Sequence, residues 1–439
     1  MATLPSPSLA SIATAHDDLV RRSPGDSGRR QPVHVVYGGA DRFRADTAKK
    51  LGALALEALT TYAPDAETFG RALELSPALA ARVYPRVVEK LKREAVEDFR
   101  IDFEDGYGHR TDEEEDAHAV AAAEAVATGH AQRLLPPFIG FRIKPLSAGL
   151  ASRALRTLER FLATLVKNSG GALPPDFVVT LPKVTNPEQV RALVDVLEVL
   201  EATLNLPTGA VGLELMVETP QCLLDSDGRV MLPQLLDAAR GRLRSAHLGT
   251  YDLTAALDVT AAHQAMAHPW ADLAKGMMKL AFAGTGVALS DGATTVMPVP
   301  PHRGPSLTQQ QRDENREVVH RAWRLAASDT RRSLSQGFYQ GWDLHPAQLP
   351  ARYGAVFAFF LEGFDPAKER LTGFVKSLGQ AQLTRDVFDD AATGQGLLNF
   401  FLRGINCGAI SEAEATATGL TLEELRRKSF AAIAQARRS

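Results

Sequence analysis

Two carboxylates raise the first chemical question in this chain. Glu218 closes the run "VGLELMVETPQ" (211–221), where apolar residues and glycine dominate apart from Glu214. Asp252 closes the next β-rich run, "SAHLGTYD" (245–252). Desolvating an unpaired carboxylate costs several kcal/mol. If the two runs are neighbouring strands, two like charges meet and need a proton or a cation between them. An oxygen-only pair with no histidine or cysteine beside it suits a hard divalent ion, Mg²⁺ or Mn²⁺, which retains waters for a substrate to displace. The competing reading pairs Glu218 with Arg142 or Lys183 as a buried salt bridge, and the acids alone leave both open. Arg142, in "GFRIK", can grip a carboxylate or keto oxygen with both arms of its guanidinium; an ion pair with Asp105 is its alternative. Lys183, in "TLPKV", allows Schiff-base chemistry, although neighbouring acids would keep it protonated.

Such residues need a scaffold that brings them together. Short β-rich runs alternate with longer helical patterns at 33–37, 99–104, 138–144, 177–183, 211–218, 245–252, 285–291 and 337–345. Eight strands separated by helices predict a closed (β/α)₈ barrel, with a doubly wound open sheet as the rival. Helix starts are legible: Thr111 with Glu114 and Thr308 with Gln311 fit capping boxes, and Asn186-Pro187 fits an N-cap followed by proline. The expected organisation is an N-terminal arm (1–32), a barrel (33–363) and a helical extension (364–439). Charged residues recur at the strand ends: Glu104 and Asp105, Arg142 and Lys144, Lys183, Glu218, Asp252, Asp291, then Asp343 and His345. In a barrel these ends converge on one face, where such folds place their chemistry.

The totals narrow the class. The chain has 439 residues, 45% hydrophobic, with a formal net charge of −3. That balance gives no electrostatic case for nucleic acid or an anionic membrane. No apolar run reaches the ~18 residues a membrane span needs, and the N-terminus lacks a signal-peptide pattern. Two cysteines, Cys222 and Cys407, point to a reducing compartment rather than a disulfide scaffold. The expectation is a cytoplasmic enzyme. "DEEED" (112–116) reads as a solvated first helical turn, "YGGADRF" as a tight turn after the first strand, and Cys222 as a small apolar residue.

In order along residues 33–350, "VYGGADRF", "IDFEDGYG", "FRIKPL", "TLPKV", "MVETPQCLL", "LGTYDLTAAL", "ALSDG" and "GWDLHPAQL" resemble segments of the HpcH/HpaI aldolase and citrate lyase beta-subunit family, a pyruvate/phosphoenolpyruvate-binding barrel superfamily. The resemblance implies a Mg²⁺-dependent barrel acting on C–C bonds of keto and hydroxy acids, with Glu218 and Asp252 as metal ligands and Arg142 as the clamp on substrate oxygens. Glu104, Asp105 and Lys183 become the shell orienting substrate and water; Gly249, Thr250 and Asp291 become substrate contacts. The implied activity is an aldolase or lyase reaction of a pyruvate-, oxaloacetate- or glyoxylate-type unit through a metal-stabilised enolate.

A CoA-thioester Claisen-type lyase or synthase is the alternative, and a catalytically inactive barrel that binds metal and keto acid is the other. The chain departs from the family at "FEDGYG", at "DSDGRVMLP", in the long segment before strand eight, and in the tail. There no convincing lid motif stands, with Asp386, Asp389 and Asp390 as unresolved candidates. The resemblance also favours a homo-oligomer, so the apolar cluster Leu397, Leu398, Phe400, Phe401, Leu402 and Ile405 is expected to meet a neighbouring subunit.

Overall fold

A computed structural model describes residues 6–25, 29–376, 382–384, 387–389, 391–426, 433 and 436–437. Its centre is a closed barrel of eight parallel strands in chain order: β1 (His34–Gly39), β2 (Asp98–Asp102), β3 (Phe138–Arg142), β4 (Val178–Leu181), β5 (Gly212–Val217), β6 (Leu243–Leu248), β7 (Ala288–Ala293) and β8 (Gln340–Asp343). Pairing of His34 with Gly341 and Val36 with Asp343 closes the ring. All eight expected strands are present, each overlapping its predicted run. The open doubly wound sheet is excluded.

Capping chemistry starts the helices where the sequence placed it. The boxes Thr111/Glu114, Asn186/Gln189 and Thr308/Gln311 each form both reciprocal bonds. Helices Ala151–Asn168 and Asp112–Ala131 pack outside β2 to β4, where Phe141 and Phe161 stack with centroids 4.1 Å apart. This layer between sheet and helices is the apolar core, and it fixes the strands from outside.

The inside of the barrel is polar instead. In "DFRID" alternate residues point inward, so Asp98, Arg100 and Asp102 line the interior while Phe99 and Ile101 face helices. Arg100 donates to both oxygens of Glu214 on β5, at 3.1 and 2.8 Å. That residue is the exception noted in the apolar run above. Buried ions are tolerated only when paired and hydrogen-bonded, and Glu214 also accepts from Tyr37, Thr180 and Ser245 at 3.2, 2.7 and 2.6 Å.

After β8 one helix runs from Leu349 to Lys376, so no structural break falls at residue 363. The helix Ala391–Cys407 folds back on it: Phe400 lies 5.2 Å from Phe360 and Phe401 lies 5.9 Å from Phe364, centroid to centroid. Leu397, Leu398 and Phe401 are buried within this one chain. For these three the expected burial against a neighbour is corrected, because the barrel's own last helix offers an apolar face; Phe400, Leu402 and Ile405 are half-buried. A short hairpin, β9 (Gln382–Thr384) with β10 (Val387–Asp389), precedes that helix. Of the tail candidates, Asp386 and Asp390 lie outside the described residues. Among the described residues no helix is long and apolar enough to cross a membrane.

Candidate active site

The C-terminal ends of β2 to β6 bring five of the expected side chains to one mouth. Lys183 is the hub. Its ammonium lies 2.5 Å from Glu104 Oε1, 3.0 Å from Asp105 Oδ2 and 3.6 Å from Asp252 Oδ1. Its backbone N–H donates to Glu218 Oε1 at 2.7 Å. Lys183 holds φ at +50°, a left-handed conformation costing a non-glycine residue about 1 kcal/mol.

Glu214 on β5 and Glu218 directly after it are four residues apart, and their surroundings differ sharply. Glu214 is met by a guanidinium, three hydroxyls and the His247 imidazole, whose Nε2 lies 2.9 Å away. Those partners hold its pKa well below the usual range although burial opposes them. Glu218 is equally buried, yet among the described residues only the Lys183 N–H donates to it and no cationic side chain comes within ion-pair distance. Burial first, and then the Asp252 carboxylate, push its pKa up to about 7, against the pull of Lys183 and Arg142. The salt-bridge reading of Glu218 is therefore not what the fold builds.

Room for that carboxylate comes from Gly249. A Cβ at that position would collide with the Glu218 side chain. Asp252 sits in the first turn of the helix Thr250–Ala256 rather than at the strand end, since β6 stops at Leu248.

These two acids follow neighbouring strands, and among the described residues no cationic side chain lies within ion-pair distance of the buried one; oxygen donors of this kind could hold a hard divalent ion that draws its remaining ligands from water and substrate. Among the described residues no group of three or more His, Cys, Asp or Glu side chains is arranged to hold a metal ion.

Arg142 departs from its expected role. Its Nε and Nη2 donate to Asp102 at 2.7 and 2.6 Å, and Nη1 lies 3.1 Å from Glu104 Oε2. The bidentate fork assigned to substrate is thus engaged by an aspartate, while Asp105 stays 3.9 Å away. The guanidinium also lies over the Tyr37 ring at 4.9 Å, and Tyr37 stacks on Trp342 at 4.3 Å. Sequence reasoning passed over Asp102, Tyr37 and Trp342. Strict alternation in "DFRIDFED" was the available signal for Asp102; nothing local marks the aromatic pair.

The two strand-two acids are pulled apart electrostatically. Burial, only partly offset by Arg142, raises the pKa of Glu104. Asp105 is held below its usual value despite desolvation, through Glu104, Arg142 and Lys183. Burial opposes the charge on Lys183, but Glu104, Glu218 and Asp252 raise its pKa, so the ammonium stays charged.

Other expected contacts turn away. Asp291 is buried between sheet and helices, 3.1 Å from Lys275 Nζ and 2.7 Å from Ser333 Oγ. Its carboxylate joins the outer layer instead of the mouth, because neighbouring residues of a strand face opposite sides. Asp343 likewise pairs with His34 and Arg352, and Lys144 with Glu115. The Thr250 hydroxyl is buried against Met266 and Gly292. Cys222 is fully buried, with its thiol pushed up to about 11 by that burial.

A closed (β/α)₈ barrel with a charged C-terminal mouth is the class that fold and site define. The chain belongs to the family described as Domain of unknown function (DUF6986), whose profile matches residues 12–433. Among solved structures, a citrate lyase from Burkholderia xenovorans LB400 superposes with a TM-score of 0.58 at 18% identity, over 89% of this chain and 97% of that one. A malate synthase from Haloferax volcanii gives a TM-score of 0.45 at 14% identity, over 74% of this chain and 75% of that one. At these identities the likeness concerns the fold. A search of curated proteins returns no match.

Proposed function

We propose that the chain is a divalent-metal-dependent carbon–carbon lyase or aldolase acting on a small 2-keto or hydroxy acid. The observation carrying this reading is Glu218: a buried carboxylate facing a second carboxylate, with no cationic side chain within ion-pair distance among the described residues. Glu218 and Asp252 would hold Mg²⁺ or Mn²⁺. Once bound, that ion supplies Lewis-acid polarisation of a keto oxygen and its neighbouring carboxylate.

The chain's own residues supply the rest. Lys183 stays an ammonium and so adds positive charge at the mouth; it is unsuited to attack a carbonyl as a free amine. Arg142, fixed by Asp102 and resting on Tyr37, orients Glu104 and contributes a second positive charge. Glu104, held by Lys183 and Arg142, and Asp105, held by Lys183, are assigned to orient substrate and water at the mouth.

Turnover of pyruvate with small aldehydes, measured with and without Mg²⁺ and beside a parallel assay of acyl-CoA with glyoxylate, tests the proposal. Metal-dependent activity in the first assay supports it, and activity confined to the second transfers the site to thioester chemistry. Absence of Mn²⁺ binding in calorimetry removes its basis.

A further inference from the structure

The opposite end of the barrel is open as well. A cavity of about 810 Å³ lies at the N-terminal ends of the strands, with Asp98, Val178, Ser245 and Gln340 in its floor. Barrel chemistry sits at the other face, and this end ordinarily serves stability. Residues 23–25 and 29–32, after the N-terminal helix, wall the cavity and are fastened at several points. Gly25 N–H donates to the Gly284 carbonyl at 2.6 Å, Gln31 to the Leu289 carbonyl at 3.1 Å, and Arg30 lies 2.8 Å from Glu97.

Arg21, Arg22, Arg29, Arg30, Arg240 and Arg244 line this space, against Asp98, Asp176 and Asp237. Several of them are neutralised: Arg29 by Asp176 at 2.9 Å and Arg240 by Asp195 at 2.8 Å. Arg244 is not. Among the described residues no carboxylate lies within ion-pair distance of it, and its one hydrogen bond goes to the Gly241 carbonyl at 2.9 Å. Half-burial, together with the cations of Arg29 and Arg242, lowers its pKa, with Asp176 opposing.

The placement of Arg244 is built into the sheet. Leu213 pairs with Leu243 but Glu214 pairs with Ser245, so Arg244 is the extra residue of a β-bulge, a device that re-aims a side chain. Its stem crosses Gly212, where a Cβ would stand 2.8 Å from Arg244 Cγ. Only glycine there leaves the guanidinium its course.

We propose that this cavity is a second ligand site, for a small phosphate-bearing anion held by Arg244 with Arg22. A guanidinium pairs with phosphate through parallel N–H bonds, and a dianion would offset the surplus of positive charge that the protein leaves unpaired. The site is separate from the mouth and independent of the reaction catalysed there.

Calorimetry of the metal-free full-length protein with inorganic pyrophosphate tests this. Saturable binding is expected, weakened about tenfold by Arg244→Gln and less by Arg244→Lys, as for loss of one charged fork. Arg22→Gln, an exposed change that leaves the barrel untouched, is expected to weaken it about threefold. Lys183→Gln should leave binding unchanged, which places the anion away from the mouth. No saturable binding to the parent protein, equal affinity in folded Arg244→Gln and Arg22→Gln, or loss on Lys183→Gln would overturn the proposal.

Discussion

Lys183 and Glu218 are joined through the backbone of one and the side chain of the other: the Lys183 N–H donates to Glu218 Oε1 at 2.7 Å. The left-handed turn at Lys183, φ +50°, aims that N–H across to β5 while the ammonium points to Glu104. A single strained residue thus serves both halves of the mouth.

That geometry separates two substitutions. Glycine adopts a positive φ without the Cβ clash, so Lys183→Gly should unfold in urea about 1 kcal/mol later than Lys183→Ala. Equal midpoints would mean that the turn stores no strain. Both variants should lose turnover, since each removes the ammonium.

Schiff-base chemistry makes the opposite demand on the same side chain. Borohydride added with a keto acid should trap no adduct, because the surrounding acids keep Lys183 protonated. A covalent adduct located on Lys183 by mass spectrometry would replace the metal-dependent reading.

Glu218→Gln and Asp252→Asn each remove one anionic ligand and little volume, so both should abolish Mn²⁺ binding in calorimetry while the circular dichroism spectrum is unchanged. Glu218→Gln should also stabilise the metal-free protein at pH 8, by about 1–3 kcal/mol, since an ionised buried carboxylate is replaced by a neutral amide. A less stable variant at pH 8 would contradict the uncompensated charge.

The pH dependence follows with a definite sign. Glu218 titrates at about 7 in the fold against an ordinary value of 4.5, so the folded state binds this proton more tightly than the unfolded state. Its contribution to stability is therefore fully present below about 4.5 and is lost as pH rises through about 7, by about 3 kcal/mol in all. Divalent metal must displace that proton, so Mn²⁺ affinity should rise over the same window and flatten above it. Denaturation midpoints and calorimetry at pH 5, 6, 7 and 8 check both trends.

For the tail, Phe401→Ala removes a ring buried against Phe364 and Phe400. Such a truncation costs about 3–5 kcal/mol. Because the contact lies within one chain, the loss in thermal midpoint should be the same at low and high protein concentration. A loss that vanishes on dilution would return this cluster to a subunit interface.

The eight strands, their order and the starts of the capped helices were legible in the amino-acid order alone, because each rests on local chemistry: an apolar run, a turn residue, a side chain within reach of its own backbone. The same order also marked Glu104, Asp105, Lys183, Glu218 and Asp252, whose charges stand where apolar runs end. Which way each charge faces emerged with the closed barrel. Asp291 and Asp343 carry the same strand-end signature as Glu218, yet a one-residue difference in parity sends them to the helix layer, paired with Lys275 and Arg352. The closed barrel likewise gave Arg142 to Asp102, forty residues away, and left Glu218, among the described residues, with no cation at ion-pair distance while Glu214 gathered its own. Those outcomes depend on barrel register and on which partners arrive from distant segments, and no window of sequence contains them.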